Sequence, residues 1–496
     1  MRATPAELAV LLAGEPAGAL RLDGLRVQRG DGRPAAAGSV QLAGARFVEP
    51  GGEARALDLS GWTLLPGLCD AHLHLFHEAR RRLRVDLSGV RRRSELWERL
   101  QASAAESAGP LIGVGWDESA WDEPRFPTRR ELDALLPGRP VGLIRVCGHV
   151  AVANGEALRL LGQPASEGLL LEGEAVALAR RFPLGQPELL EAAAKAASDL
   201  ARQGLTAVTD MGAADLPALA AALPADFPLR VEYFHAGPLA ELPTDGAPGP
   251  GRPLGRKFFL DGSIGGRSAA VAAPYVEGGT GELLYGDAAL RSELAAALAA
   301  GWSVALHAIG ERALAQALDC LAALRPPAGR ARLEHVELLL PGQAERAAAL
   351  DLAVCMQPNF MDRWGRQGGL YARALGEGWR ARFGGPADWR RVGATLAYGT
   401  DGMPAALWPA LRAAVDPEVF GGATDAPEAA IAAVTGDAAR AAGREVEWGR
   451  VLPGHSADFC LVERDPAADY FRGEVTPALT VRAGRPTWIA SHHQGR

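Results

Sequence analysis

TLLPGLCDAHLHL, residues 63–75, is the stretch on which the fold reading turns. It is an apolar run that ends in two histidines one residue apart, and it predicts a strand. On a strand, residues i and i+2 project from the same face, so His72 and His74 can both reach one metal ion. Taken alone, the pair also fits two partly exposed histidines at a strand end. His77 falls past the expected strand end and is left out. Seven further runs of the same kind follow at residues 204–212, 229–237, 256–263, 301–310, 330–338, 352–358 and 394–402. Most are separated by Ala/Leu-rich helical stretches such as 290–300 and 312–324, which is the βα pattern. Eight such strands predict an α/β protein built on a (β/α)8, TIM-like barrel. Lys257, His307, His335 and Asp401 each lie in or just after one of them. Functional groups of such barrels gather at the C-terminal ends of several strands. Six residues from strands 1, 4, 5, 6 and 8 therefore point to one site. Nitrogen and oxygen ligands of this kind suit zinc, with manganese, iron or cobalt as alternatives.

The rest of the chain is arranged around that barrel. Between the first run and the second, residues 76 to 203 are far too many for one crossover helix. They contain strand-like runs of their own, LIGVGWDE (111–118) and PVGLIRVCGHVAVAN (140–154), so residues 85–185 read as a lobe inserted after barrel strand 1. The two ends carry short β-rich pieces with Gly turns, such as GSVQLAGARF, SADFCLVERD and ALTVRAGRPTWIA. Residues 1–62 and 440–496 are thus expected to form a composite β-sandwich domain, and residues 63–439 the barrel. No period of 20–50 residues repeats, which sets solenoids and propellers aside.

Composition narrows the class. A 496-residue chain with 48% hydrophobic and 22% charged residues is a soluble globular protein in its proportions, not a disordered, collagen-like or disulfide-scaffold one. A net charge of −7 without long basic runs argues against nucleic acid as a partner. No stretch approaches the length needed to span a bilayer, so no membrane association is expected. Cys69, Cys147, Cys320, Cys355 and Cys460 lie far apart with no CxxC pair, as expected of buried thiols in a reducing compartment. Glu7 and Glu15 flank the short apolar run near the N-terminus, which reads against a secretory signal and towards a cytoplasmic protein. The expected partner is a small-molecule substrate, and a homodimer is the assembly to test for. Only two of the 52 basic residues are lysines, Lys195 and Lys257. A chain that uses Arg wherever a positive charge suffices has a reason for a Lys in a strand.

With these motifs assembled, the chain resembles the amidohydrolase superfamily of metal-dependent hydrolases, in its YtcJ-like branch (amidohydrolase family 3). The resemblance runs from about residue 38 to about residue 488. It rests on LPGLCDAHLHL, on GWDESAW followed by PTRRELDALLPGRPV, and on GHVAVAN, KFFLDGSIGGRSAA, HAIGERAL, LEHVELL, MQPNF, GTDGMP and LPGHSADFCLVERDP. Thr400 stands where the family often has Ser, and Glu311 where it often has Asp; neither change removes a ligand.

The resemblance implies a barrel with a side β-sandwich and a mononuclear or binuclear centre of one or two divalent ions, zinc first. His72 and His74 would bind the first metal with Asp401, His307 and His335 the second, and Lys257 would bridge them. A lysine ammonium cannot ligate a cation, but a carbamate formed from Lys257 and CO₂ offers two oxygens, and Arg cannot form that adduct. Metal-activated hydroxide, available near neutral pH, would attack a carbonyl carbon. Asp401 would take the water's proton and then protonate the leaving nitrogen. His149, in GHVAVAN, is the candidate to help polarise the carbonyl oxygen. Trp116 is the candidate apolar wall of the substrate pocket. Trp121, Phe360 and Trp364 fit pocket or core equally well. Arg267 has two readings, a contact to an anionic or carbonyl group of the substrate or a simple pair with Asp261.

The expected activity is hydrolysis of a carbon–nitrogen bond other than a peptide bond, in a small amide, formamide or cyclic amide. The same site could instead hydrolyse an ester or deaminate an amine. A different class is a non-catalytic relative that keeps the barrel for assembly, which a missing ligand would favour; none is missing. The inserted lobe is expected to form the wall and lid of the pocket.

Overall fold

The computed structural model describes residues 2–14, 18–106, 109–118, 121–146, 150–171, 173–182, 184–212, 215–243 and 249–491. The chain divides into two compact units, residues 1–75 with 196–496, and residues 76–195. No helix among the described residues is long and apolar enough to cross a membrane.

The larger unit holds the barrel. Its strands are Leu68–Leu73, Leu205–Asp210, Arg230–His235, Gly251–Phe259, Ser303–Ala308, Ala331–His335, Ala353–Met356 and Thr395–Tyr398. They pair in parallel, each with the next along the chain. Every expected run overlaps one of them, although Gly251–Phe259 begins five residues ahead of its run at 256–263, and the first run also holds a strand of the terminal sheet. Thr63–Pro66 pairs with Ala19–Val27 and with Phe459–Val462 in the terminal sheet, so the barrel starts at Leu68 rather than at residue 63. The chain changes sheets at Gly67, where a Cβ would stand 2.1 Å from Thr206 Oγ1.

The last strand meets the first along a seam. The Asp401 N–H donates to the His72 carbonyl at 2.8 Å, and Asp70 accepts from the Thr400 N–H at 3.0 Å and the Thr400 hydroxyl at 2.6 Å. Gly399 makes this approach possible, since a Cβ there would lie 2.4 Å from the His72 nitrogen. Inside, Ala71, Ala207, Ala305, Ala353 and Ala397 share one buried cluster with Cys69, Cys355, Phe234 and Trp448. Small side chains on five strands leave room for larger groups, as in the filled interior of such barrels. Trp448 and helix Gly436–Ala441 belong to this cluster, so residues expected to open the terminal domain at 440 pack with the barrel instead. The flanking helices are amphipathic; Glu311–Leu324, for example, buries Ala313, Leu314, Ala317, Leu318 and Leu321.

Both ends of the chain supply the second sheet of this unit. Its eight strands run in the order Arg485–Ile489, Leu479–Arg482, Phe459–Val462, Thr63–Pro66, Ala19–Val27, Ala36–Ala43 and Arg46–Val48, with Ala54–Asp58 also on Ala19–Val27. Leu22, Leu42, Leu64, Phe459, Leu461 and Val481 form its core with Leu8 and Leu12 of helix Pro5–Ala13. That helix starts at a reciprocal cap, in which Thr4 accepts from the Glu7 N–H and Glu7 accepts from the Thr4 N–H.

The smaller unit is an α/β lobe, and it is wider than the 85–185 expected. Its five-stranded sheet runs in the order Leu169–Leu171, Val150–Ala153, Val141–Arg145, Leu111–Trp116, Val85–Asp86. Alternate residues feed two cores on opposite faces: Leu111 and Leu143 on one side, Ile112 and Ile144 on the other.

Candidate active site

The barrel seam carries the first candidates. His72 is the next-to-last residue of the buried first strand, His74 follows the strand, and Asp401 lies just past the eighth. Asp401 Oδ1 is 3.0 Å from His74 Nε2 and 3.5 Å from His72 Nε2. Asp401 has φ 56°, and at the end of strand 6 His335 has φ 71° and Val336 φ 48°. These left-handed conformations are unfavourable for residues with a Cβ and concentrate at functional sites. Here they turn two of the candidate ligands at the strand ends.

His335 stands among the other rings, with centroids 4.7 Å from His72 and 4.4 Å from His307. Donor atoms of His72, His335 and Asp401 all lie within 4.8 Å of one another. His307 is beside this trio but outside it; its Nε2 is 3.0 Å from the Gly262 carbonyl oxygen and 3.4 Å from Asp261 Oδ1. Asp261 ties the loops after strands 4 and 5 together, accepting from the backbone N–H groups of Ala270, Ile309 and Gly310 at 2.8–3.0 Å. Lys257 is 2% exposed, and its Nζ has no hydrogen-bond partner.

Electrostatics favour a cation. Burial, and then the nearby Lys257, hold His72 well below its usual range and His307 down to about 4. His335 is also held well below, by burial and by its neighbouring imidazoles. Burial pushes Lys257 down to about 8 against the pull of Glu334 and Asp401. Burial alone would raise Asp401, but its hydrogen bond with His74 and the charges around it keep the carboxyl below its ordinary value. Neutral imidazoles at His72, His307 and His335 beside an ionised carboxylate are the forms that bind a divalent metal. Burial lowers His74 as well, but its hydrogen bond with Asp401 and that carboxylate's charge carry it above its usual value. The buried Nδ1 of His335 has no partner, as expected of a nitrogen reserved for a ligand. The residues present fit a divalent ion.

Residues the sequence reading missed lie beneath this group. Glu334 Oε2 is 2.7 Å from His72 Nδ1, and Arg332 holds the same carboxylate at 2.5 and 3.1 Å. Cys355 also lies within 4.8 Å of Glu334 and His72. The available signal was RLEH itself: charges at i and i+2 in a strand whose neighbours are apolar imply an inward-facing pair. Farther out, the Tyr371 hydroxyl donates to the buried Glu337.

Other expectations land differently. Arg267 bonds Glu277 at 3.1 Å and the carbonyl oxygens of Ile264 and Gly265, not Asp261, and its guanidinium faces the Tyr275 ring. Trp116 is fully buried, with ring centroids 5.9 Å from Trp121 and 5.4 Å from Phe126 in the lobe's own core. An indole with no exposed surface has a packing role, which replaces the expected pocket wall. His149 lies outside the described residues. Phe360 stacks on His335 at 6.1 Å and 15°, Trp364 packs on Phe360 at 4.6 Å, and Phe259, 38% exposed, sits 5.6 Å from His307.

Fold and site together define a metal-dependent barrel hydrolase, with nitrogen and oxygen donors gathered at the strand ends. The match to the amidohydrolase family spans residues 55–487, and the chain belongs to that family. It is 29% identical to YtcJ of Bacillus subtilis (strain 168), named as an amidohydrolase, over 67% of this chain and 69% of that one. It is 26% identical to the N-substituted formamide deformylase of Arthrobacter pascens, over 91% of this chain and 94% of the relative. In fold it is similar to the crystal structure of a metal-dependent hydrolase from Pyrococcus horikoshii OT3, with a TM-score of 0.76 and 24% identity over 94% of this chain and 99% of that one.

Proposed function

We propose that the chain hydrolyses a carbon–nitrogen bond other than a peptide bond, in a small amide, formamide or cyclic amide. One or two divalent ions, zinc foremost, would serve the reaction: His72, His74 and Asp401 would hold a first ion, His307 and His335 a second, and Lys257, as a carbamate, would supply oxygen ligands to them. A divalent ion there supplies Lewis acidity, polarising a carbonyl oxygen and making water easier to deprotonate. The observation that carries the metal is the convergence of His72, His335 and Asp401 donor atoms, drawn from both proposed ligand sets, within 4.8 Å in a buried site.

The chain's own groups do the rest. Asp401, kept ionised, accepts a proton from the attacking water and returns it to the leaving nitrogen. Lys257 supports the carbamate because its amine is buried, unpartnered and shifted towards the neutral form that captures CO₂. Phe259 and Phe360 border the histidines, with Trp364 packed on Phe360, and this apolar lining suits a substrate with an apolar substituent. The formamide choice draws support from the deformylase relative that spans nearly the whole chain.

The test is metal analysis joined to a screen of N-acyl amines, formamides and cyclic amides on zinc-, manganese- and cobalt-loaded protein. One to two ions per chain and chelator-sensitive turnover of at least one class are expected. Full turnover with chelator present, or hydrolysis of esters alone, would refute the reading.

A further inference from the structure

Beneath the candidate ligands lies a buried ion pair that the proposed reaction does not use. Arg332 and Glu334 project from strand 6, with side chains 2% and 0% exposed. The guanidinium grips the carboxylate twice, through Nε at 2.5 Å and through its terminal nitrogen at 3.1 Å. That terminal nitrogen also donates to the Ala71 carbonyl at 2.8 Å, one residue before His72. Glu334 then reaches His72 Nδ1 at 2.7 Å. Strand 6 thus holds both the side chain of His72 and the backbone leading into it.

We infer that Arg332 and Glu334 are positioning residues that fix the tautomer and aim of His72. A carboxylate on Nδ1 makes that nitrogen the protonated one and leaves the Nε2 lone pair free. Nε2 is the atom that faces Asp401 at 3.5 Å. Arg332 keeps the carboxylate from rotating away and balances its charge out of water. Stability alone gives little reason for the pair, because a buried ion pair can often be replaced by apolar residues at no cost. Its value lies in the imidazole it orients, since carboxylates that hold metal-binding histidines tune affinity. The inference rests on the proposed reading of His72 as a ligand.

The experiment compares the full chain with two variants, Glu334→Gln and the double Arg332→Met with Glu334→Leu. Zinc affinity is read by competition with a chelating dye, geometry by the visible absorption of the cobalt-loaded protein, and folding by thermal unfolding of the metal-free chains. Glu334→Gln should bind zinc about 10–100-fold more weakly and change the cobalt spectrum. The double variant should recover wild-type thermal stability but not zinc affinity, an outcome a purely structural pair would not give. If Glu334→Gln fails to fold, the double variant alone decides. Affinities within twofold of wild type and unchanged cobalt spectra overturn the positioning role. A wild-type chain that binds neither ion overturns the metal reading and the inference with it.

Discussion

Replacing Gly399 by Ala should damage both the barrel and its metal site, because the glycine lies where strand 8 crosses closest to the first strand. A Cβ there would stand 2.4 Å from the His72 nitrogen, 2.5 Å from its Cβ and 2.7 Å from its Cα, against ordinary contacts of 3.4–4 Å. All three are fixed by the backbone with no rotamer to change, so the strands must separate by about 1 Å. Overpacking of that kind costs about 1–3 kcal/mol. The seam bond from the Asp401 N–H to the His72 carbonyl, 2.8 Å long, would be stretched as well, a loss of about 1 kcal/mol. The expected total is about 2–4 kcal/mol of apparent stability in urea, followed by far-ultraviolet dichroism. Because the same separation pulls His72 from Asp401, zinc affinity should fall with it. Gly286→Ala is the control: that residue has φ −77° and nothing within 4 Å of its would-be Cβ. A Gly399→Ala protein within about 0.5 kcal/mol of its control, with unchanged zinc affinity, would show that the seam is not the tight junction described.

Three other substitutions test the remaining assignments. Asp401→Asn keeps an oxygen near the metal but accepts no proton, so turnover should drop at least about 10²-fold with much of the metal retained; a near-normal rate would move the base elsewhere. Lys257→Arg keeps a charge but cannot form a carbamate, so the chain should lose metal and turnover, read by elemental analysis and kinetics; full occupancy would remove the carbamate. Trp116→Ala should cost about 3–5 kcal/mol in the lobe, the usual range for a buried Trp, seen in thermal unfolding; unchanged stability with a raised KM would restore the pocket role.

How far the sequence could be read depended on the kind of signal each residue leaves. The barrel was legible because eight apolar runs with helices between them have few other solutions, and His72, His74, His335 and Asp401 were legible because polar residues at apolar strand ends are conspicuous. The sheet change at Gly67 was not, since an apolar residue belongs equally well to either sheet; only hydrogen-bond partners separate Leu65 from Leu68. Trp116 was misread because an aromatic next to Asp117 looks like a site edge, while its neighbours Trp121 and Phe126 in space are not periodic in sequence. Arg332 and Glu334 were overlooked for the opposite reason. Charges in a strand are usually assigned to a solvent face, and here that habit outweighed the one available signal, the alternation in RLEH among apolar neighbours.

The strained backbone explains why the seam and the site occupy the same place. His335, Val336 and Asp401 each hold a left-handed conformation, at a cost of about 1–3 kcal/mol apiece. Such residues relax unless their surroundings leave no alternative. At Asp401 the constraint is the bond from its own N–H to the His72 carbonyl, reinforced next door by Thr400, which bonds Asp70 through both N–H and hydroxyl. At Val336 it is the bond from its N–H to the Ala308 carbonyl, with Leu338 bonded to Ile309 just beyond. In both cases a strand end is held against a neighbouring strand before the chain turns, and the turn aims the side chain at His72. A ligand carried on a relaxed loop would have to be ordered each time a metal bound. Held this way, the candidate donors are brought together by the same backbone bonds that pin the strand ends to their neighbours.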